Sequence, residues 1–109
     1  MNKQPELIPI GEDRKIKVFL KDLPDGVTMD NVDVTFTLSA GHVSKDYPRA
    51  SLRKNTDGDY YIPFSTSDLA VGDLIISAHV RIPDEDFEDG TRDEYPTFDP
   101  HIKIIPKQK

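Results

Sequence analysis

The sequence of 109 residues contains no cysteine, and its six glycines all stand singly. Without cysteine the chain has no disulfide or thiolate chemistry, so burial of apolar side chains must stabilise it. No two glycines lie close enough to cradle a phosphate, and the G-x-S-x-G motif of serine hydrolases is missing. No apolar run approaches the roughly 20 residues of a membrane-spanning helix. These absences favour a non-enzymatic protein without a cofactor, and they argue against a membrane protein.

Acidic residues outnumber basic ones, 20 against 14, which gives a net charge of −6. An acidic surface argues against nucleic acid or an anionic membrane as the partner. The first ten residues lack the apolar core of a secretory signal, which predicts cytoplasmic synthesis. The length predicts a single domain over residues 1–109.

Alternation of apolar and polar residues indicates β-strands, most clearly in the segment 72–83. There Leu74, Ile76, Ala78, Val80 and Ile82 share one face, and Gly72 and Pro83 close the ends, as in a central strand. Other segments with strand patterns are 15–21, 32–38, 42–47, 49–54, 60–64 and 101–105.

Short strands separated by regular turns indicate an all-β fold, an antiparallel immunoglobulin-like β-sandwich of about seven strands. A small barrel is the second choice. Residues 1–10 are predicted to form a flexible arm that can become an edge strand. Pro63 suggests that the strand 60–64 lies at an edge. The one helical candidate is a single turn at 65–69, capped by Ser65.

The segment 83–100 contains eight acidic residues and one basic residue, Arg92, and Asp89-Gly90 predicts a wide hairpin turn within it. Clustered carboxylates can bind Ca²⁺, but the EF-hand pattern fails here, since neither Asp84 nor Glu85 as first ligand gives the required register. We therefore expect no specific Ca²⁺ site. The alternative is a solvated acidic loop whose aromatic residues pack onto the edge of the sandwich; these are Phe87, Tyr95 and Phe98.

Two further sets of residues could form sites. The histidines, at 42, 79 and 101, are far apart in sequence, and nothing in the pattern brings them together as zinc ligands. The tyrosines at 47, 60 and 61 could form an exposed patch for a sugar or a protein. Because Tyr60 and Tyr61 are adjacent on a strand, they must face opposite sides, and one of them is predicted to lie in the core.

Four stretches resemble known families. Pro9 to Asp13 followed by Lys15 to Asp22, and then Val32 to Leu38, resemble the N-terminal domains of phage upper baseplate proteins, although Glu12 separates the glycine from Asp13. Residues 69–74 resemble the corner before a late strand in immunoglobulin-like modules, with Leu74 where a tyrosine often stands. The Ile-Pro-Asp run at 82–84 before the Asp-Gly turn is similar to small sandwich proteins of Bacteroidetes and their prophages. The resemblance implies a structural role in a phage-type assembly, a virion as destination, and no catalytic residue.

Together these features predict a structural module that acts by protein–protein contact, with a protein partner or a second copy and no cofactor. The alternative is a surface or carbohydrate-binding module of immunoglobulin-like fold. A basic arm on one copy could meet the acidic loop of another by strand addition. The candidate interaction residues are therefore Leu7, Ile8, Ile10, Asp84, Asp86 and Asp89.

Overall fold

A computed structural model describes residues 4–107 of the chain, and its regular structure is almost entirely β-strand. This range contains no α-helix, and its only helical elements are two 3₁₀ turns, Arg49–Ser51 and Thr66–Asp68. The strands are β1 Glu6–Pro9, β2 Asp13–Val18, β3 Asp33–Ala40, β4 Val43–Pro48, β5 Arg53–Lys54, β6 Tyr60–Ser65, β7 Gly72–Asp73, β8 Ile75–Pro83, β9 Thr91–Glu94, β10 Thr97–Phe98 and β11 Ile102–Ile105.

These strands form three sheets in a sandwich-like, all-β architecture. Sheet I contains β4, β3, β8 and then both β9 and β10, which pair with β8 in succession; all its pairings are antiparallel. Sheet II has the order β2-β6-β5 and is also antiparallel. Sheet III has the order β1-β11-β7 and includes one parallel pairing, between β1 and β11. The all-β class predicted from the alternation is confirmed.

The core lies between the inward faces of these sheets, and β3 and β8 supply its centre. Their register places Val34 opposite Val80 and Leu38 opposite Ile76, and all four side chains are buried. Leu74 precedes β8 and is also buried. The face predicted for the segment 72–83 is therefore confirmed, and β8 is central because β3 pairs with one side of it and β9 and β10 with the other.

The strand pattern differs from the sequence prediction in three places. Strand β6 lies between β2 and β5 and not at an edge, because the two-residue β5 pairs only with Tyr60 and Tyr61 and needs no N–H from Pro63. Residues 4–107 contain eleven strands instead of about seven, because several segments form strands of only two to four residues. The segment 49–54 forms a 3₁₀ turn and the two-residue strand β5 rather than one strand, since the chain turns after Pro48 to bury Leu52. The predicted helical turn after Ser65 is present, and the Ser65 hydroxyl accepts a hydrogen bond from the Ser67 N–H.

The N-terminal segment is not the free arm that the sequence suggested. Strand β1 runs parallel to β11 as the outer strand of sheet III, and Ile8 lies opposite Ile104 with only 2% of its surface exposed. The N–H of Ile10 donates to the carbonyl of Ile105 at 2.9 Å. The burial of Ile8 and the parallel pairing with β11 hold this segment on its own molecule. Of the two predicted possibilities, a flexible arm or an edge strand, the segment forms the edge strand. Residues 1–3 of the predicted arm lie outside the described residues.

Candidate protein-contact surface

The acidic segment forms an ordered hairpin, which we define as residues 84–90 and call the acidic hairpin. It connects β8 to β9, whose register places Pro83 opposite Thr91. The N–H of Asp84 donates to the carbonyl of Gly90 at 2.9 Å, and the N–H of Gly90 donates to the carbonyl of Phe87 at 2.9 Å. Gly90 has φ of +78°, a conformation that glycine adopts at little cost, as the Asp-Gly signal predicted. The hairpin therefore has a defined shape.

The side chain of Asp84 fixes that shape from inside the turn. One of its oxygens accepts the backbone N–H of Asp86 at 3.0 Å, and the other accepts a guanidinium N–H of Arg92. The hydrogen bond from Asp86 and then that from Arg92 lower the pKa of Asp84, since both stabilise the charged carboxylate. Of the predicted interaction residues, Asp84 is thus turned inward and has a structural role.

The remaining residues of the hairpin are presented to solvent. Glu85, Asp86, Glu88 and Asp89 are exposed, and no basic side chain among residues 4–107 lies within ion-pairing distance of them. Phe87 lies between them with 49% of its surface exposed. The prediction that Phe87 anchors the loop to the sandwich is therefore wrong. An exposed aromatic ring inside an acidic rim has the composition of a contact site, because aromatic residues carry much of the energy of protein interfaces.

The predicted residues of the arm lie far from the hairpin in the same molecule. Leu7 is 55% exposed on β1, whereas Ile8 is buried and Ile10 packs against the core cluster. Sheet III joins the start of β8 through β7, and the acidic hairpin follows the end of β8. Nine residues of extended strand separate them, roughly 25–30 Å. The structure therefore does not bring the two predicted halves of the site together in one copy.

A second exposed aromatic group lies on the outer face of sheet I. The rings of His79 and Tyr95 stack with centroids 4.7 Å apart and planes 5° apart, and Tyr95 is 70% exposed. Asp93 contacts His79 Nε2 at 2.9 Å and Arg81 Nε at 3.2 Å. These two hydrogen bonds, His79 first, lower the pKa of Asp93. Tyr95 is not the predicted anchor, whereas Phe98 does pack against the core as predicted.

The other candidate residues do not form a site. Tyr47 is buried, so the prediction of an exposed tyrosine there is wrong, and Tyr60 packs against the core while Tyr61 faces outward. His42, His79 and His101 do not converge. Within residues 4–107 no three histidine or carboxylate side chains lie close enough to hold a metal ion.

Sequence reasoning missed a basic face on sheet II. Lys15 on β2 lies opposite Pro63 on β6, and Arg53 on β5 lies opposite Tyr61, so the four side chains share the outward face. The sequence shows that Tyr61 and Pro63 alternate with Ile62 and Phe64 along β6. It does not show that Pro63 pairs with Lys15 and Tyr61 with Arg53.

Comparison of the chain with protein-family models, curated proteins and solved structures gives no match. Across the part of the chain that the structure describes, no helix has the length and apolar character needed to cross a membrane. A function must therefore be inferred from the geometry of the surfaces.

Proposed function

We propose that this chain is a non-enzymatic assembly module that contacts a protein partner through the acidic hairpin. The observation that carries the proposal is Phe87, half-exposed on an ordered turn and flanked by carboxylates without ion pairs. The carboxylates guide a basic partner surface to the hairpin, and the ring then provides apolar area that binding desolvates. Because Asp84 and Arg92 hold the turn, little ordering entropy is lost on contact.

The same proposal includes the topology of the fold and the kind of assembly to which the chain belongs. An immunoglobulin-like topology and a place in a phage or prophage tail are supported by the resemblance of residues 9–22 and 32–38 to baseplate domains. A module of this kind needs no catalytic residue, cofactor or nucleic acid. Its partner is a protein with a basic patch that can receive an aromatic side chain.

The test compares two variants of exposed aromatic residues. Tagged full-length chain captures proteins from an extract of the organism that encodes it, and each captured protein is purified and titrated against wild type, Phe87→Ala and Tyr95→Ala. We expect Phe87→Ala to weaken binding by roughly tenfold or more, as loss of an interface aromatic does. Tyr95→Ala should leave the affinity unchanged. Equal binding by wild type and Phe87→Ala would refute the proposal.

Carbohydrate binding is a second candidate, favoured by the stacked pair of His79 and Tyr95. The stacking fixes the ring plane of Tyr95 and leaves one face free, and the C–H face of a sugar ring packs against such a face. Asp93 and Arg81 lie beside it and could bond sugar hydroxyls. A glycan array probed with wild type, Tyr95→Ala and Phe87→Ala separates the candidates, because only sugar binding requires Tyr95.

A further inference from the structure

The outward face of sheet II contains a groove whose shape follows from the short strand β5. Only Arg53 and Lys54 pair with β6 on that side, opposite Tyr61 and Tyr60. Pro63 therefore has a strand neighbour only on the β2 side, where Lys15 lies opposite it. The open space beside β6 is a groove of about 430 Å³, lined by Lys15, Arg53, Lys54, Asn55, Tyr61 and Pro63.

The groove is ordered and basic. The side-chain NH₂ of Asn55 donates a hydrogen bond to the Tyr61 hydroxyl at 3.1 Å. The side-chain oxygen of Asn55 accepts the backbone N–H groups of Asp57 at 3.0 Å and Asp59 at 2.9 Å. Its lining contains three basic residues and no acidic residue. Lys54 pairs with Asp30 at 2.9 Å, whereas Lys15 and Arg53 make no ion pair with any other residue that the structure describes.

These properties complement those of the acidic hairpin. The hairpin offers four exposed carboxylates without ion pairs and one half-exposed phenyl ring. The groove offers two bases without ion pairs beside a tyrosine and a proline, a combination that accepts an aromatic ring and its acidic neighbours. The hairpin extends sheet I and the groove lies on the outer face of sheet II, and within residues 4–107 no hydrogen bond or ion pair joins the two surfaces of one copy.

We propose that the groove receives the acidic hairpin of a second copy, with Phe87 seated against Tyr61 and Pro63 and with Asp86 and Asp89 facing Lys15 and Arg53. This inference rests on the proposed function, since it names the partner of the same hairpin. Each copy carries both surfaces, so the contact is head to tail, and it propagates into a ring or a filament. The receiving surface is the groove and not the N-terminal arm, because β1 is already paired with β11.

Three full-length variants test the contact. The hairpin variant combines Asp86→Asn, Phe87→Ala and Asp89→Asn. The groove variant combines Lys15→Glu and Arg53→Glu. The control variant, Lys103→Glu with Lys107→Glu, makes the same change in net charge at exposed bases outside the groove. Circular dichroism and the urea midpoint of each variant establish that it is folded.

Sedimentation velocity at high protein concentration and low salt measures the association. We expect wild type and the control variant to self-associate, and both to dissociate as salt rises from about 0.05 M to about 0.5 M, because charge pairs at a surface are screened. The hairpin variant alone and the groove variant alone should associate at least roughly tenfold more weakly. Mixed together they should form pairs of one copy each and nothing larger, since only one intact hairpin and one intact groove can meet.

Three results would overturn the inference: wild type that stays monomeric at low salt, a hairpin or groove variant that associates like wild type, or a mixture of the two variants that forms no pair. If wild type is monomeric but a foreign protein binds in a Phe87-dependent way, the second copy is excluded and the proposed function stands. If the hairpin variant associates like wild type and keeps its partners, the proposed function fails as well.

Discussion

Replacing Thr66 by valine should destabilise the fold although it leaves the shape of the side chain almost unchanged. Among residues 4–107, Thr66 and Tyr47 are the only buried residues whose side chains carry a polar atom, and Thr66 is completely buried. Its Oγ1 accepts the N–H groups of Gly11 at 2.9 Å and Glu12 at 3.0 Å, and it donates to the carbonyl of Pro9 at 2.8 Å. One hydroxyl therefore fastens the turn between β1 and β2 to the 3₁₀ turn after β6.

Thr66→Val removes that hydroxyl and leaves two N–H donors without a partner. A donor left unsatisfied in the interior costs roughly 1–3 kcal/mol. Because these bonds are only part-buried, we expect a loss of roughly 2–4 kcal/mol in the free energy of unfolding, a large share of the roughly 5–15 kcal/mol of a typical domain. The thermal midpoint should fall by roughly 10–20 °C.

Urea unfolding followed by far-ultraviolet circular dichroism measures the effect. Thr66→Ser keeps the hydroxyl and should retain most of the stability. Thr35→Val makes the same exchange on the outer face of β3 and should change the free energy of unfolding by less than about 0.5 kcal/mol. A Thr66→Val protein as stable as wild type would show that the hydroxyl is not what fastens the turn.

Three further predictions follow from single features of the fold. The hydroxyl of Tyr47 is buried and has no hydrogen-bond partner among the described residues, so Tyr47→Phe should leave the free energy of unfolding in urea unchanged or raise it. A loss of more than about 1 kcal/mol in that free energy would contradict this. An alanine Cβ at Gly41 would lie 2.8 Å from a backbone carbonyl oxygen, whereas one at Gly26 would meet nothing within 4 Å, and both glycines have positive φ. Gly41→Ala should therefore cost roughly 1–3 kcal/mol more than Gly26→Ala in the same unfolding assay. The lowered pKa of Asp84 gives stability that is present above the unfolded pKa, about 3.9, and is lost as pH falls through the folded value. Asp84→Asn should flatten the acid limb of the stability–pH curve, and Asp86→Asn is the control; equal curves for the two variants would refute the assignment.

The parts of the fold that the sequence predicts are those whose signal is local. The alternation of β8 identifies its buried face because residues two apart on a strand face the same way. The Asp-Gly turn of the acidic hairpin is equally local. In contrast, the pairing of Ile8 with Ile104 joins residues near opposite ends of the chain, and no short pattern reveals it. This is why the N-terminal segment could be read as an arm.

The candidate surfaces also combine features that a local sequence pattern reveals with features that depend on long-range pairing. The acidic residues were evident from composition, but the exposure of Phe87 and the partial burial of Phe98 depend on what the sheets place beside each ring. Lys15 and Arg53 are far apart in sequence and become neighbours of the same groove only because β2 and β5 flank β6. Sequence reasoning could therefore find one half of the proposed contact and not the other.

The open edges of the sheets explain why contact through side chains is the better expectation than strand addition. On the edge strand β4, Lys45 points inward on the side of the buried Tyr47, with its ammonium 5.5 Å from the ring centroid and 2.9 Å from Asp68. On the edge strand β2, Arg14 points inward on the side of Val18 and is held by carboxylates at 2.8 and 3.0 Å. Inward-pointing charges on edge strands oppose pairing with another chain, because an added strand would have to cover them. An assembly of this protein should therefore form through the acidic hairpin and the outward face of sheet II, and it should dissociate as the salt concentration rises. An assembly built by backbone hydrogen bonds between edge strands should not dissociate in salt.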